Sequence, residues 1–202
     1  MRGIQIRVDQ NDVRQVKKHL EKMENAPKHL RNAINRTATG AKKYIHEGRK
    51  AGYRMQAGPI NSAMTIWRAT PAHLDATIKV KDRPHSLMNE DKYKASAKNG
   101  KGRAGVYKGS LKALDAGPVF IASMRNGHTG IFQRTGKQGI KSRLKKYSEN
   151  KHTEAIKTFQ GPGAAKVVES IYLGRHGGQG DMKERIQERL HKEMLEEIKK
   201  LM

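Results

Sequence analysis

No cysteine occurs among the 202 residues. Disulfides, thiolate metal sites and a cysteine nucleophile are excluded together, while the redox compartment stays open. Aromatic residues make up only 5% of the chain and apolar residues 35%, below the usual share for a globular domain, so the core is modest. No apolar run approaches the roughly 20 residues that span a bilayer, and the opening "MRGIQIRVDQ" lacks the apolar stretch of a secretory leader. The expectation is a protein used in the cytosol, or assembled there into something larger, with no membrane partner. Acids are also scarce. Against 42 Lys and Arg stand 19 Asp and Glu, a formal charge of +23 and a sequence pI near 10.3. Such a chain repels itself and associates with polyanions, nucleic acid first among them.

What is present is hydrophobic periodicity. Ile4, Ile6 and Val8 alternate with polar residues, the period of a short strand with one buried face. Asp9 or Asp12 can cap a helix whose apolar positions are Val13, Val16, Leu20 and Met23. Pro27 suits the first turn of a second helix, with the stripe Leu30, Ala33, Ile34, Thr37, Ala41, Tyr44 and Ile45 reaching to about Lys50. Met64 and Ile66, then Leu74, Ala76, Ile78 and Val80, alternate on either side of "RATPAH" and predict a hairpin. "GPVFIASM" and "TGIFQR", separated by the Asn126-Gly127 turn signal, predict a second. "GPGAAKVVESIYLG" starts a helix and "GRHGGQG" reads as a hinge. In the last helix Asp181 and Glu184 have capping-box spacing, and Met182, Ile186, Leu190, Met194, Ile198 and Leu201 form one apolar stripe. That stripe, Ile186, Leu190, Met194 and Ile198 above all, is expected to dock on the sheet or on a neighbouring subunit.

Charge is unevenly placed. From Asp181 to Met202 six bases meet six acids, with Glu188–Lys192 and Glu196–Lys200 at the favourable i,i+4 spacing, so the whole excess lies in residues 1–180. Two stretches carry much of it, Lys79–Lys112 and Lys137–Lys157, and both read as basic loops that bury too little to order themselves. Tyr93, Tyr107 and Tyr147 within them could stack on bases, although contact with backbone phosphates is the stronger expectation. Arg134, Lys137, Lys141, Arg143, Lys145 and Lys146 are the candidate DNA-backbone contacts.

Other sites are disfavoured. A phosphate loop needs four residues between its glycines and a Ser or Thr after the lysine. Here five separate Gly130 from Gly136, and Gln138 follows Lys137. "GRHGGQG" before a helix could bind an anion, but nothing else converges there. None of the nine histidines lies at H-x-x-H or H-x-x-x-H spacing, so no one-helix metal site is indicated. No catalytic residue, cofactor or metal is expected; a nuclease would need paired carboxylates or a His-metal constellation.

The order of "INSAMTIWRATPAHLDATIKV", "FIASMRNGHTGIFQRTGK", "FQGPGAAKVVESI" and the terminal amphipathic helix resembles the minor tail protein Z family of tailed bacteriophages, over nearly the whole chain. The "FIASMRNGHTGIFQR" hairpin and the Gly161-Pro162 helix start are its most specific parts. The resemblance implies an α+β fold, a small antiparallel sheet against a long N-terminal helix. The residues divide the chain into a single domain over 1–173 with basic loops near 81–112 and 137–157, in which it departs from the family pattern, a hinge at 174–180 and a C-terminal helix at 181–202. The resemblance further implies a structural, non-enzymatic tail-completion protein at the head-proximal end of the tail. There it would sit as a homo-hexameric ring in the virion after assembly in the host cytoplasm, beside the tail terminator, tail tube and head–tail connector and near the genome's end. The alternative is a free-standing basic DNA- or RNA-binding protein.

Overall fold

The computed structural model describes residues 4–7, 25–114, 118–125, 127, 129–138, 154–175 and 182–200, with residues 4–7, 135–138 and 154–155 described by backbone alone. The fold is α+β, with small antiparallel sheets, a long N-terminal helix and a C-terminal helix. The chain divides into two compact units, residues 1–83 with 163–202, and residues 84–162. The second is thus an insertion in the first, where the sequence suggested one domain carrying loops.

Unit 1 is built on α1 (Ala26–Gly52), about 40 Å long at 1.5 Å per residue. Pro27 stands in its first turn, where a missing N–H costs nothing. Arg49 and Lys50 lie in the last turn, beside the negative end of the helix dipole. Of the stripe read from the sequence, Leu30, Ala33, Ile34, Thr37, Ala41 and Ile45 are buried, and the Thr37 hydroxyl donates to the Ala33 carbonyl. A short α2 (Ala57–Ala63) leads into β2 (Met64–Trp67), which pairs antiparallel with β3 (Thr77–Val80) as the expected hairpin. β1 (Ile4–Arg7) takes the other edge of β3. The region of the helix expected between Asp9 and Met23 lies outside the described residues.

Two further helices complete unit 1, α3 (Ala164–Tyr172) and α4 (Met182–Lys199). Ile171 of α3 lies so close to Gly48 of α1 that a Cβ there would approach its Cγ2 to 2.5 Å. Leu190 and Met194 of α4 join Ala26, Leu30, Ala33, Ile34 and Ala38 of α1, with Ala69 and Ala76 of the hairpin, in one core.

The start of α3 is held by a residue far away in sequence. Asp82, just past β3, accepts the Ala164 N–H on its carboxylate at 2.7 Å. It acts as the helix's N-cap in place of Gly163, which has no side chain to offer. Gly163 is needed because a Cβ at that position would fall 2.5 Å from the Arg83 carbonyl oxygen. The two passages between the units, Arg83 to Pro84 and Pro162 to Gly163, therefore leave unit 1 side by side.

Unit 2 closes the same gap from its own end. β4 (His85–Ser86) pairs with β11 (Gln160–Gly161). The Tyr93 hydroxyl donates to the Pro162 carbonyl, and its ring occupies the space that a side chain on Gly161 would fill. β8 (Val119–Ser123), β9 (Thr129–Gln138) and β10 (Glu154–Thr158) form one antiparallel sheet in the order β10-β9-β8, which includes the second hairpin read from the sequence. Phe120 and Phe132 meet across it, with centroids 6.0 Å apart. Gly130 to Lys137 lie within β9, so the segment that mimics a phosphate loop is a strand.

The stretch expected to be a basic loop near 81–112 contains most of a three-stranded sheet. β5 (Lys94–Lys98), β6 (Lys101–Gly105) and β7 (Lys112–Ala113) pair antiparallel in that order. Asn99 and Gly100 make the turn with φ of 50° and 74°, positive at both central positions, as a type I′ hairpin requires. Small residues supply the inner face: a Cβ on Gly102 would meet Val119 at 2.6 Å and Leu114 at 2.9 Å. Of the second expected basic loop, 137–157, β9 and β10 account for the two ends, and residues 139–153 lie outside the described residues.

Placing a methyl group at Gly163 forces either the backbone of Arg83 or the start of α3 to shift. Gly163→Ala is expected to cost about 1–3 kcal/mol, the range for overpacking. Gly58→Ala, where nothing lies within 4 Å, should be neutral or stabilising by up to about 1 kcal/mol. Urea unfolding of the two variants checks the contrast; equal stabilities would refute the close approach.

Candidate functional site

The residues expected to make assembly contacts turn inward. Ile186, Leu190 and Met194 are buried, and Leu190 and Met194 belong to the shared core with α1, against which Ile198 also packs. Periodicity identified a face that must be covered; within this chain α1 covers it together with residues of the β2–β3 hairpin, Ala69, Ala76, Ile66 and Leu74, so the expected docking on the sheet is joined by a helix that the sequence reading did not name.

Beside that apolar seam runs a charged one, which the sequence did not reveal. Arg185 donates to Glu47 at 3.1 Å, and its guanidinium lies 4.1 Å over the Tyr44 ring. Arg189 donates to Glu193 at 3.0 Å and lies across α1 at Gly40, where a Cβ would collide with it. Glu197 is the hub. Its side chain is 2% exposed, and it meets Arg36 at 2.8 Å, His29 Nδ1 at 2.7 Å and Lys200 at 2.5 Å. Burial alone would raise this carboxyl, but hydrogen bonds from Lys200 and His29 and the charges of Arg36 and Lys200 outweigh it and hold it down to about 2. Lys200, expected to pair with Glu196 on the surface, reaches Glu197 one residue later.

The site with a functional aspect is the outer face of the β5–β6 hairpin. Register pairs Lys98 with Lys101, Ser96 with Arg103 and Lys94 with Gly105. Since residues directly opposite share a face, Lys94, Lys98, Lys101 and Arg103 project to one side, and all four are exposed. Among the described residues none of the four makes an ion pair. The alternate residues Ala95, Ala97, Gly102 and Ala104 take the inner side, half-buried or buried. From Lys92 to Leu114 the sequence has seven Lys or Arg and no acid. At 3.3 Å per residue the cations span about 13 Å of a two-stranded ribbon. Such a patch suits consecutive phosphates, because it offers charge without the fixed amide geometry that reads base edges.

Of the candidate DNA contacts, Arg134 is exposed on β9, with its guanidinium 5.5 Å over the Phe120 ring. Lys137 lies near the end of the same strand. Lys141, Arg143, Lys145 and Lys146 lie outside the described residues. Tyr93 is corrected: it is 3% exposed, and its hydroxyl is committed to the Pro162 carbonyl, so it offers no stacking face. Tyr107 is half-buried, and Tyr147 lies outside the described residues. Among the described residues no group of three or more His, Asp or Glu is placed to hold a metal ion, and no described helix is long and apolar enough to cross a membrane. The signal for the β5–β6 face was in the sequence: "KASAKNGKGRAG" alternates about an Asn-Gly turn.

Comparison with family models, with curated proteins and with solved structures finds no match.

The Glu197 hub has a pH signature. A carboxyl held at about 2 in the folded chain, against an ordinary 4.5, contributes stability that is complete above pH 4.5. The contribution is lost as pH falls through about 2. Arg36 and Lys200 are nearly half exposed, so solvent reduces it to on the order of 2 kcal/mol. Glu197→Gln should therefore lower stability by about that much near pH 7 and flatten the acid limb between pH 4.5 and 2. Denaturant titrations across that window check both; a parallel acid limb in the variant would contradict the assignment.

Proposed function

We propose that this chain is a structural, non-catalytic tail-completion protein of a long-tailed bacteriophage, of the minor tail protein Z kind, which finishes the head-proximal end of the tail and serves head–tail joining. The observation that carries the reading is the succession along one chain, after a long N-terminal helix, of the "MTIWRATPAHLDATIKV" hairpin, the "FIASMRNGHTGIFQR" hairpin, the Gly-Pro start of α3 and the amphipathic α4. In this reading the chain sits in the virion in six copies, touching the tail terminator, tail tube and head–tail connector. Because Ile186, Leu190 and Met194 are buried within the chain, contacts between copies use other surfaces.

The exposed Lys94, Lys98, Lys101 and Arg103 face adds a use for the charge, since a genome end near the joint offers phosphates to neutralise. The same face is what favours a second reading, a free-standing binder of DNA or RNA. A free binder holds duplex at physiological salt without any partner, whereas a tail component needs its assembly.

Electron microscopy of particles assembled with and without the chain tests the first reading. Its omission should remove density at the head-proximal end of the tail and leave heads and tails unjoined; unchanged particles would sink the proposal. For the basic face, replacing Lys94, Lys98, Lys101 and Arg103 with Ala should reduce the slope of log K against log salt by up to about 4, at roughly 0.9 per phosphate neutralised. An unchanged slope would remove the face from any DNA contact.

A further inference from the structure

A groove of about 410 Å³ opens on unit 1 where α1, α4 and the residue following β2 converge. Three guanidiniums line it, Arg36 from α1, Arg68 from just after β2 and Arg189 from α4, together with Asn32, Thr39 and Glu193. Two of the three are largely committed. Arg189 donates to Glu193 at 3.0 Å, and Arg36 sits 3.6 Å from Glu193 and 2.8 Å from the buried Glu197.

Arg68 differs. Its closest polar neighbour is the Thr39 hydroxyl at 3.5 Å, the outer limit of a hydrogen bond, and among the described residues no carboxylate pairs with it. Its backbone is nonetheless fixed. The Asn35 side chain both accepts the Ala69 N–H at 2.9 Å and donates to the Ala69 carbonyl at 3.1 Å, which clamps the segment after β2 onto α1. A charged, exposed side chain on a rigidly held backbone, facing two more guanidiniums, contributes nothing evident to the fold.

We infer that this groove binds a phosphate group carried on a larger molecule. Arg68 offers a whole guanidinium, and a guanidinium holding a carboxylate by part of its five N–H donors keeps others, so donors from three elements can serve several oxygens of a tetrahedral anion, whereas a planar carboxylate is satisfied by one fork. Glu193 and Glu197 take up Arg189 and Arg36, so Arg68 supplies the uncompensated charge that draws in a phosphate monoester, itself about −1.5 to −2 at neutral pH. The volume exceeds what a lone anion fills and lies in the range of small-molecule pockets, leaving room for the sugar or chain that bears the phosphate. The inference rests on unit 1 alone and stands apart from the basic face of the β5–β6 hairpin.

The test uses the full chain at constant ionic strength, titrated with inorganic phosphate, with a nucleoside monophosphate and with a short DNA duplex. Binding is followed by calorimetry and by the emission of Trp67, the sole tryptophan, half exposed and adjacent to Arg68. Arg68→Gln removes one charge-assisted donor and should weaken phosphate binding about tenfold with the melting temperature unchanged. The Lys94, Lys98, Lys101 and Arg103 quadruple variant should bind phosphate as the parent does. Loss confined to phosphate and the mononucleotide assigns the site to free phosphate compounds; loss that extends to the duplex assigns it to nucleic-acid backbone; either supports the inference. Three outcomes overturn it: no phosphate binding by the parent, parental affinity in Arg68→Gln, or an equal loss in the quadruple variant, which would mean general ion binding to a basic chain.

Discussion

The hydrogen bond from the Ala164 amide to the Asp82 carboxylate joins the only two places where the chain passes between its units. Around it, each local feature has a reason. Gly163 has no side chain because the Arg83 carbonyl fills the space, and α3 therefore borrows its cap from the far side of the insertion. Tyr93 and the β4–β11 pair make the matching closure on the other side. Unit 1 can then be a continuous helix-and-sheet body although its sequence is interrupted.

Much of unit 1 was legible because its signals are strong and local. The stripe from Leu30 to Ile45 has the helical period over four turns, and the Ile66 and Ile78 alternation brackets a proline-containing turn. Both hairpins formed as read. The β5–β6–β7 sheet was not read because lysine, alanine and glycine carry little strand preference, and a composition rich in them argues for disorder. Tertiary contact decided the matter: Val119 and Leu114 press onto Gly102, which only a glycine permits. The Asn99-Gly100 turn was the available clue, with the same chemistry as the Asn126-Gly127 pair that was recognised.

The polar arrangement of α4 was illegible for a different reason. Six bases and six acids on one helix read as surface pairs at i,i+4, and pattern alone cannot say that Glu197 is buried. Its partners Arg36 and His29 come from α1, more than 150 residues away in sequence. The apolar face of the same helix was identified correctly as a face, but a period has no information about what covers it. The two units also differ in how they treat cations. In unit 1 Arg36, Arg185 and Arg189 are drawn into pairs along a seam, whereas among the described residues the lysines and arginine of the β5–β6 ribbon make no ion pair.

The adjacency of Arg83 and Gly163 has a consequence in chain statistics. Closing an open loop of about 80 residues costs roughly 2–3 kcal/mol more than closing one of a handful, since each doubling of length adds about 0.6 kcal/mol. Once β4 and β11 have paired, the insertion presents its two ends already together, and unit 1 meets a short loop instead of a long one. The order in which the units form then matters: a folded insertion lowers the entropic barrier for its host, while an unfolded one holds the two halves of unit 1 apart.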